Sequence, residues 1–361
     1  MKKVAVVILN WNGRHYLERF LPTVLASTYQ NLDIYIADNA STDDSVLWLQ
    51  QFMHNRAKQA GDMLTTEHGL FLLQNDDNYG FAQGYNEALQ HVAADYFVLL
   101  NSDVRVAPNW LKPIIALLDS DAQIAACQPK ILSYDEPQQL EHAGGAGGYI
   151  DQFGYPFCRG RVLNICETDT GQYDEVAEVA WASGTALFIR SEIYRQLNGF
   201  DNSFFAHMEE IDLCWRIRRL GYKVMACPQS VVWHVGGGTL QKSNPFKTYL
   251  NFRNNWAMLL KNLPIGRFLL VAQLRFWLDI VALLTFSVKG EWGNARALLK
   301  AHRHFWCRLG QFWDARRTAQ NNIAQYQQLP DRSQLSGYYK GSIIFDFFVR
   351  QKKTFKAIME D

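Results

Sequence analysis

Asn101-Ser102-Asp103 directly follows the apolar run Tyr96-Phe97-Val98-Leu99-Leu100, so a carboxylate stands where a buried strand ends. In open α/β sheets, ligands bind at the carboxyl ends of strands. A carboxylate there can hold a hard divalent cation against a nucleotide diphosphate and so stabilise a leaving group that gathers negative charge. Three further polar segments follow apolar runs or precede helical ones: Asn10–Gly13, Asp38–Ser41 and Asn78–Gly84. In a parallel sheet all four meet at one edge and line one cleft. Further along, Glu209, Glu210 and Asp212 fall within one helical turn, more carboxylate than favourable placement at a helix start requires. His234 ends a short strand-like run.

Other chemistries lack their residues. Leu9-Asn10-Trp11-Asn12-Gly13 has one glycine where a dinucleotide fingerprint needs three, and Trp11 would block close approach to a pyrophosphate. No Walker lysine motif is present. The six cysteines show no CxxC spacing and read as reduced thiols of the cytosol.

The elements that must position these groups follow from apolar spacing. Strands are expected at Val4–Leu9, Leu32–Ala37, Leu70–Leu73 and Tyr96–Leu100, with helices at Arg14–Ser27, Ser45–Met53 and Tyr85–Val92. The N-terminal run reads as a first strand, not an export signal. Strand and helix alternate, which predicts a mostly parallel sheet with helices on both faces. Residues 144–177, rich in glycine and aromatics, read as a loop-dominated insertion. Val179–Ile189 is strand-like, Glu209–Leu220 helical, and Lys223–Ala226 and Ser230–Trp233 short strands.

Composition divides the chain near residue 240. Residues 1–239 carry 17 Lys/Arg against 28 Asp/Glu, and residues 240–361 carry 19 against 7, although the net charge is only +1. Two domains are expected, 1–240 and a basic, aromatic, helical 241–361. Its partner should be anionic. Phe246–Leu263 is helical, and Phe268–Val288 is apolar for long enough to cross a bilayer. Arg275 and Asp279 interrupt it at i,i+4, at about 2.5–3.5 kcal/mol each in mid-membrane, so a helix in the membrane interface is expected, with a helix packed on its own domain and a membrane span as the alternatives. Arg253, Lys261, Arg267, Arg296, Lys300, Arg303 and Arg308, interleaved with Trp256, Trp277, Trp292 and Trp306, read as a surface for acidic lipid. No nucleic-acid module accompanies them.

Taken in order, Val7–Asn12, Asp38–Asp43, Asn78–Ala82, Leu99–Asp103, Gly199–Asp201, Glu209–Leu213 and Trp233-His234 resemble family 2 glycosyltransferases of the GT-A fold, particularly the bacterial rhamnosyltransferase-like branch. The resemblance covers about residues 3–240. It implies that Asp38 meets the nucleobase, with Asn10, Asn39, Asn78 and Gly80 in the donor-binding segments beside Asn101, Ser102 and Asp103. It implies that Asp103 binds Mg²⁺ or Mn²⁺ and that His234 completes the metal shell. Asn101 stands where the stricter motif has Asp, which leaves one carboxylate for the metal. The general base falls at Glu210, where many relatives have Asp; Asp212 is the second choice, and Glu209 positions the acceptor.

The implied reaction is a single inverting displacement, from a nucleotide-diphosphate sugar to a hydroxyl of a saccharide or polyprenyl-diphosphate-linked saccharide, in cell-surface polysaccharide synthesis. The protein would be cytoplasmic and peripheral on the inner face of the membrane. Two alternatives stay open: a sugar-phosphate nucleotidyltransferase, which should show a Gly-rich basic motif after the first strand, and a catalytically silent glycan- or lipid-binding scaffold.

Overall fold

Apolar runs in the first half of the chain become β1 (Val4–Asn10), α1 (Arg14–Leu25), β2 (Leu32–Asp38), α2 (Ser45–Ala60), β3 (Gly69–Gln74), α3 (Gly80–Gln90), β4 (Tyr96–Asn101), β5 (Val104–Val106), α4 (Leu111–Ser120) and β6 (Ile124–Ser133). They are seen in a computed structural model that describes residues 1–60, 68–236 and 244–360. After β6 come four short strands, β7 (Gly148–Asp151), β8 (Pro156–Cys158), β9 (Arg161–Val162) and β10 (Ile165–Cys166). Then follow β11 (Ala177–Val179), β12 (Ala186–Arg190), α5 (Ser191–Gln196), α6 (Glu209–Arg219) and β13 (Lys223–His234). The C-terminal part holds α7 (Pro245–Asn262), α8 (Ile265–Val288), α9 (Trp292–Cys307), α10 (Leu309–Tyr326), β14 (Tyr338–Tyr339), α11 (Ile343–Phe348) and α12 (Phe355–Met359).

The main sheet runs β11-β13-β6-β12-β4-β1-β2-β3, with β5 added on β13. Its β3-β2-β1-β4 half is parallel, and β12 is antiparallel to both β4 and β6. Both faces of β1 and β4 are buried, so these strands read as continuous apolar runs, whereas β3 lies at the more exposed edge. In β1, Ala5 and Val7 face the core shared with α3, α6 and α7, while Val4, Val6 and Ile8 face the core shared with α1 and α4.

Two expectations change and one is refined. Residues 144–177 are mostly loop, as expected, but their short strands β7–β10 join β14 in a separate five-stranded sheet, with Phe157 in a small core that includes Ile343 and Phe355. Its strands are two to four residues long, too short for a visible period. Helix α3 begins at Gly80, ahead of the expected Tyr85, and Lys223–His234 is one strand whose register slips between Cys227 and Val231.

The expected boundary at 240/241 lies outside the described residues. Helix α7 is buried along its whole second half, from Arg253 to Asn262. It shares a core with the main sheet, and Asn255 Nδ2 also donates to Gly154 O of the small sheet at 2.8 Å. Arg253, Lys261 and Trp256 are therefore not part of a basic surface: protein carbonyls and carboxylates take up their donors. Arg296, Lys300, Arg303 and Arg308 do face solvent. Helix α8 turns Arg275 and Asp279 inward, 3.8 Å apart, where Asp279 also accepts from Trp256 Nε1 at 2.9 Å. Its outer face presents Leu269, Leu270, Leu274, Trp277, Val281, Leu284 and Val288.

Candidate active site

Strands β1, β2 and β4 end level, with Asn10 opposite Asp38 and Leu9 opposite Asn101. Asn10 Nδ2 donates to Asp38 Oδ1 at 3.0 Å, and Ser41 donates to the same carboxylate through Oγ (2.6 Å) and N (2.9 Å). Asn39 Nδ2 donates to Asn78 Oδ1 at 2.9 Å and to Gly80 O at 3.1 Å. Asn75 Nδ2 donates to Asn39 Oδ1 at 3.0 Å. The expected donor segments thus form one hydrogen-bonded rim. Buried polar groups usually find partners, yet Asn10 Oδ1 is buried with none. Ser102 sits beside the Gly13 turn, next to this rim.

Beyond β4 the chain turns at Ser102-Asp103 into β5, which pairs with the end of β13, so Val104 lies opposite His234. Asp103 Oδ1 is 3.2 Å from His234 Nε2, and Glu141 Oε2 is 3.3 Å from His234 Nδ1. All three are buried. Burial works against the charged forms, but the pairing prevails. His234 is pushed up to about 10 by Asp103 and Glu141, Asp103 falls below the usual carboxylate range, and Glu141 falls to about 2. Asn101 Nδ2 stands 3.5 Å from the same His234 nitrogen.

The acidic pair arrives from another direction. Asn101 N donates to Thr185 O at 3.0 Å. On the neighbouring Gly184 a Cβ would lie 3.8 Å from Glu210 Cβ and 3.2 Å from the Phe81 ring. The Asn101–Asp103 strand end and Glu210 therefore flank the same short segment, Ser183–Thr185. The buried Tyr85 hydroxyl, which donates to Leu100 O at 3.0 Å, is held protonated chiefly by burial, with the nearby charge of Asp103 adding to it.

Glu210 is half-buried and its Oε2 has no partner. Burial raises its carboxyl to about 7, against the pull of the backbone N–H groups of Glu210, Ile211 and Met208. Glu209, more deeply buried, is driven well above the carboxylate range by burial and by the adjacent Glu210. Two neighbouring carboxyls pushed apart in this way suit different roles, one neutral and one titrating near neutrality. Asp212 turns the other way. It accepts from Arg216 Nε at 2.9 Å and Asn262 Nδ2 at 2.8 Å, and pairs with Lys261 Nζ at 2.9 Å. A fully buried carboxylate so occupied anchors α6 and has no oxygen free for substrate.

The chain entering α6 is strained. Phe205 (φ 64°, ψ −63°) makes a γ-turn closed by Ala206 N donating to Phe204 O at 2.7 Å, and His207 (φ 68°) and Met208 (φ 74°) are also left-handed. Each non-glycine residue held this way costs on the order of 1–3 kcal/mol, and such residues gather at functional sites.

Sequence reading missed Glu141, the Ser183–Thr185 segment, and Arg253 and Asn254, which bind carbonyls of the strained loop. Glu141 stands before a glycine run with no period to place it; Arg253 read as part of a surface for acidic lipid, and nothing in the sequence singles out Asn254. A cavity of about 640 Å³ lined by Ala26–Gln30, Arg56 and His68 contains none of these groups. Converging ionisable groups, rather than volume, mark the site.

The family model described as glycosyl transferase family 2 matches residues 5–178. Over 245 residues the chain is 22% identical to the N-acetylglucosaminyl-diphospho-decaprenol L-rhamnosyltransferase of Mycobacterium tuberculosis, covering 64% of this chain and 75% of that one. Its fold resembles that of the mannosyltransferase PcManGT from Pyrobaculum calidifontis, solved with GDP-Man and Mn²⁺: TM-score 0.52, 15% identity, 91% of this chain and 87% of that chain. GalNAc-T7, solved with UDP, GalNAc and Mn²⁺, aligns with TM-score 0.53 at 18% identity, over 72% of this chain and 48% of that one.

Proposed function

We propose, for a chain that belongs to glycosyl transferase family 2 on its rhamnosyltransferase-like branch and has the GT-A fold, an inverting, metal-dependent transfer of a sugar from a nucleotide diphosphate to an acceptor hydroxyl. The observation that carries this reading is the placement of Glu210, a carboxyl raised to about 7, across Ser183–Thr185 from the Asp103–His234 pair.

In this reading the rim of Asn10, Asp38, Asn39, Asn78 and Gly80 holds the nucleotide. Glu210 Oε2 accepts the acceptor's hydroxyl proton while that oxygen bonds to the anomeric carbon. The bond from the anomeric carbon to the phosphate oxygen breaks on the opposite face, and its electron pair leaves with the diphosphate. A single displacement inverts the configuration and needs no covalent sugar–enzyme species. Glu209, kept neutral, can donate to the acceptor.

The residues present fit a divalent cation. Asp103 and His234 converge on one point and offer a carboxylate and an imidazole, a donor set that suits Mn²⁺. Among the described residues no cluster of three or more metal-binding side chains forms a ready cage, so the donor diphosphate and water would fill the remaining positions. When bound, the ion neutralises charge on the departing diphosphate. Without it, His234 carries a proton between Asp103 and Glu141. Glu141 then serves as the outer carboxylate that orients the ring through Nδ1. Glu141→Gln is expected to weaken Mn²⁺ affinity by about 10–100-fold, read by Mn²⁺ EPR titration with a nucleoside diphosphate present. Unchanged affinity would exclude that role.

The acceptor is proposed to be a saccharide carried on polyprenyl diphosphate, reached from the cytoplasmic side by a protein held on an anionic membrane. Supporting this are the outward apolar face of α8 and the exposed Arg296, Lys300 and Arg303 of α9. In flotation with vesicles at low salt, binding should need an anionic lipid such as phosphatidylglycerol. It should fall by at least tenfold in the double variant Leu274→Glu/Trp277→Glu. Equal flotation of that variant removes α8 from the contact.

The direct test is release of nucleoside diphosphate from UDP-, GDP- and dTDP-sugars with lipid-linked saccharide, with and without EDTA. Turnover that ignores EDTA, or a product that keeps the donor's anomeric configuration, would overturn the reading.

A further inference from the structure

We propose that Arg253 and Asn254 of α7 are positioning residues for Glu210: they clamp the strained loop 203–208 and so fix the carboxylate against the donor site. This rests on Glu210 being the base.

The loop has little to hold it from within. Its γ-turn at Phe205 and the left-handed His207 and Met208 leave the carbonyls of 203–207 pointing away from any regular ladder. Four of those carbonyls, of Ser203, Phe204, Ala206 and His207, are taken up by two side chains. Arg253 Nη2 donates to Ser203 O at 2.7 Å and Phe204 O at 2.9 Å. Asn254 Nδ2 lies 2.9 Å from Phe204 O, 2.9 Å from Ala206 O and 2.7 Å from His207 O. Arg253 Nε also donates to Asn254 Oδ1 at 2.7 Å, which locks one donor against the other. Both side chains are buried, so water cannot replace them cheaply.

The loop also connects the two halves of the site. Phe205 O accepts from Phe81 N at 2.6 Å and Ala82 N at 3.1 Å, the first turn of α3, immediately after the Asn78–Gly80 donor segment. Gly80 has φ +73°, and a Cβ there would lie 2.5 Å from the Phe205 ring. At the far end of the loop, α6 starts with Glu209 and Glu210. One strained segment thus touches the donor rim at Phe205 and the base within five residues, and α7 sets its shape. The same helix anchors α6 from behind, through Lys261 and Asn262 on Asp212. Strain of this kind persists only where surrounding structure over-determines it, and Arg253 and Asn254 supply that surplus. Misplacing a reacting group by about 1 Å can cost roughly 10²-fold.

The test compares wild type, Asn254→Ala, Arg253→Lys, Glu210→Gln and the double variant Asn254→Ala/Glu210→Gln. Turnover is read as nucleoside diphosphate released from whichever of the UDP-, GDP- or dTDP-sugars the wild type uses best. Folding and donor binding are read as the thermal shift with the matching nucleoside diphosphate and Mn²⁺. Asn254→Ala should lose about 10–100-fold in kcat while KM for the donor and the nucleotide-induced shift stay within twofold. Its acidic pH limb should move below 7, because a loosened loop admits water to Glu210. In the Glu210→Gln background the same change should cost less than twofold, since it acts through the base. Arg253→Lys keeps a cation and one donor; it should show the same signature at about 3–10-fold, and decides the matter if Asn254→Ala does not fold. Wild-type kcat and pH limb in the folded variants, or a full loss repeated in the Glu210→Gln background, overturns the clamp. Wild-type turnover of Glu210→Gln itself overturns the base assignment instead.

Discussion

Glu210→Gln should lower kcat by about 10²–10⁴-fold and leave donor KM nearly unchanged, because base catalysis is worth that much and a base acts only as the proton moves. The pH profile gives a second, independent signature. Only the ionised carboxylate accepts a proton, so wild-type kcat should fall tenfold per pH unit below about 7, where burial has placed Glu210. The variant has no such group, and its residual rate should be flat across that window. Stability should move the opposite way to activity. Glu210 titrates near 7 when folded and near 4.5 in the unfolded chain, so the native state binds the extra proton between these values. Stability is therefore lost as pH rises from about 4.5 to 7, and above 7 the folded protein carries a half-buried charge whose Oε2 has no hydrogen-bond partner. Gln removes that cost, on the order of 1–3 kcal/mol. At pH 8 the variant should melt several degrees higher than wild type, and at pH 4.5 no higher. A variant that is inactive but also less stable at pH 8 has lost structure, and says nothing of the base.

That activity and stability oppose each other at Glu210 also explains what the sequence could convey. The parallel half of the sheet was legible because its central strands are buried: Val4–Ile8 and Tyr96–Leu100 are apolar throughout, and both strands end in polar residues. The polar rim proposed to hold the donor followed from those ends, since register brings Asn10 beside Asp38 and Leu9 beside Asn101. Burial of the acidic cluster was not legible. Glu209, Glu210 and Asp212 look alike in a sequence, yet one is held by Arg216, Lys261 and Asn262 and two are left without such partners. What separates them is α7, some forty residues downstream, whose polar residues imitate a solvent-facing stripe. Arg253, Asn254, Lys261 and Asn262 are buried because loop carbonyls and Asp201 and Asp212 meet them. Polar residues that pair across long sequence separations leave no periodic trace. For the same reason Arg275 and Asp279 read as a hazard in an apolar helix, whereas they face Tyr155, Trp256 and His302 and leave the apolar face outward.

Asp103→Asn should cost about 10³-fold in kcat and abolish the response to Mn²⁺. Charge stabilisation by a bound cation contributes several kcal/mol, and each 1.36 kcal/mol is tenfold in rate. The loss should be close to complete because nothing nearby substitutes for that carboxylate. Asn101 supplies only an amide next to His234, and Glu141 approaches the ring from its other nitrogen. Asn at 103 keeps the shape of the turn into β5, where Val235 N donates to Asp103 O through the backbone at 3.1 Å, so the fold should survive. Removing one of two carboxylates around His234 also lowers the pull on its ring proton, and the variant's imidazole should titrate well below the wild-type value of about 10, which NMR of the ring can follow. Calorimetry should then find nucleoside diphosphate binding that no longer depends on Mn²⁺, at the weaker affinity expected of the wild type in EDTA. Asp103→Asn that keeps Mn²⁺-dependent turnover would move the metal elsewhere, while Glu210→Gln would still report on the base. The pair of variants therefore separates leaving-group stabilisation from acceptor activation, because a reaction needing both should lose each through a different measurement: metal dependence in one case, the acidic limb of the pH profile in the other.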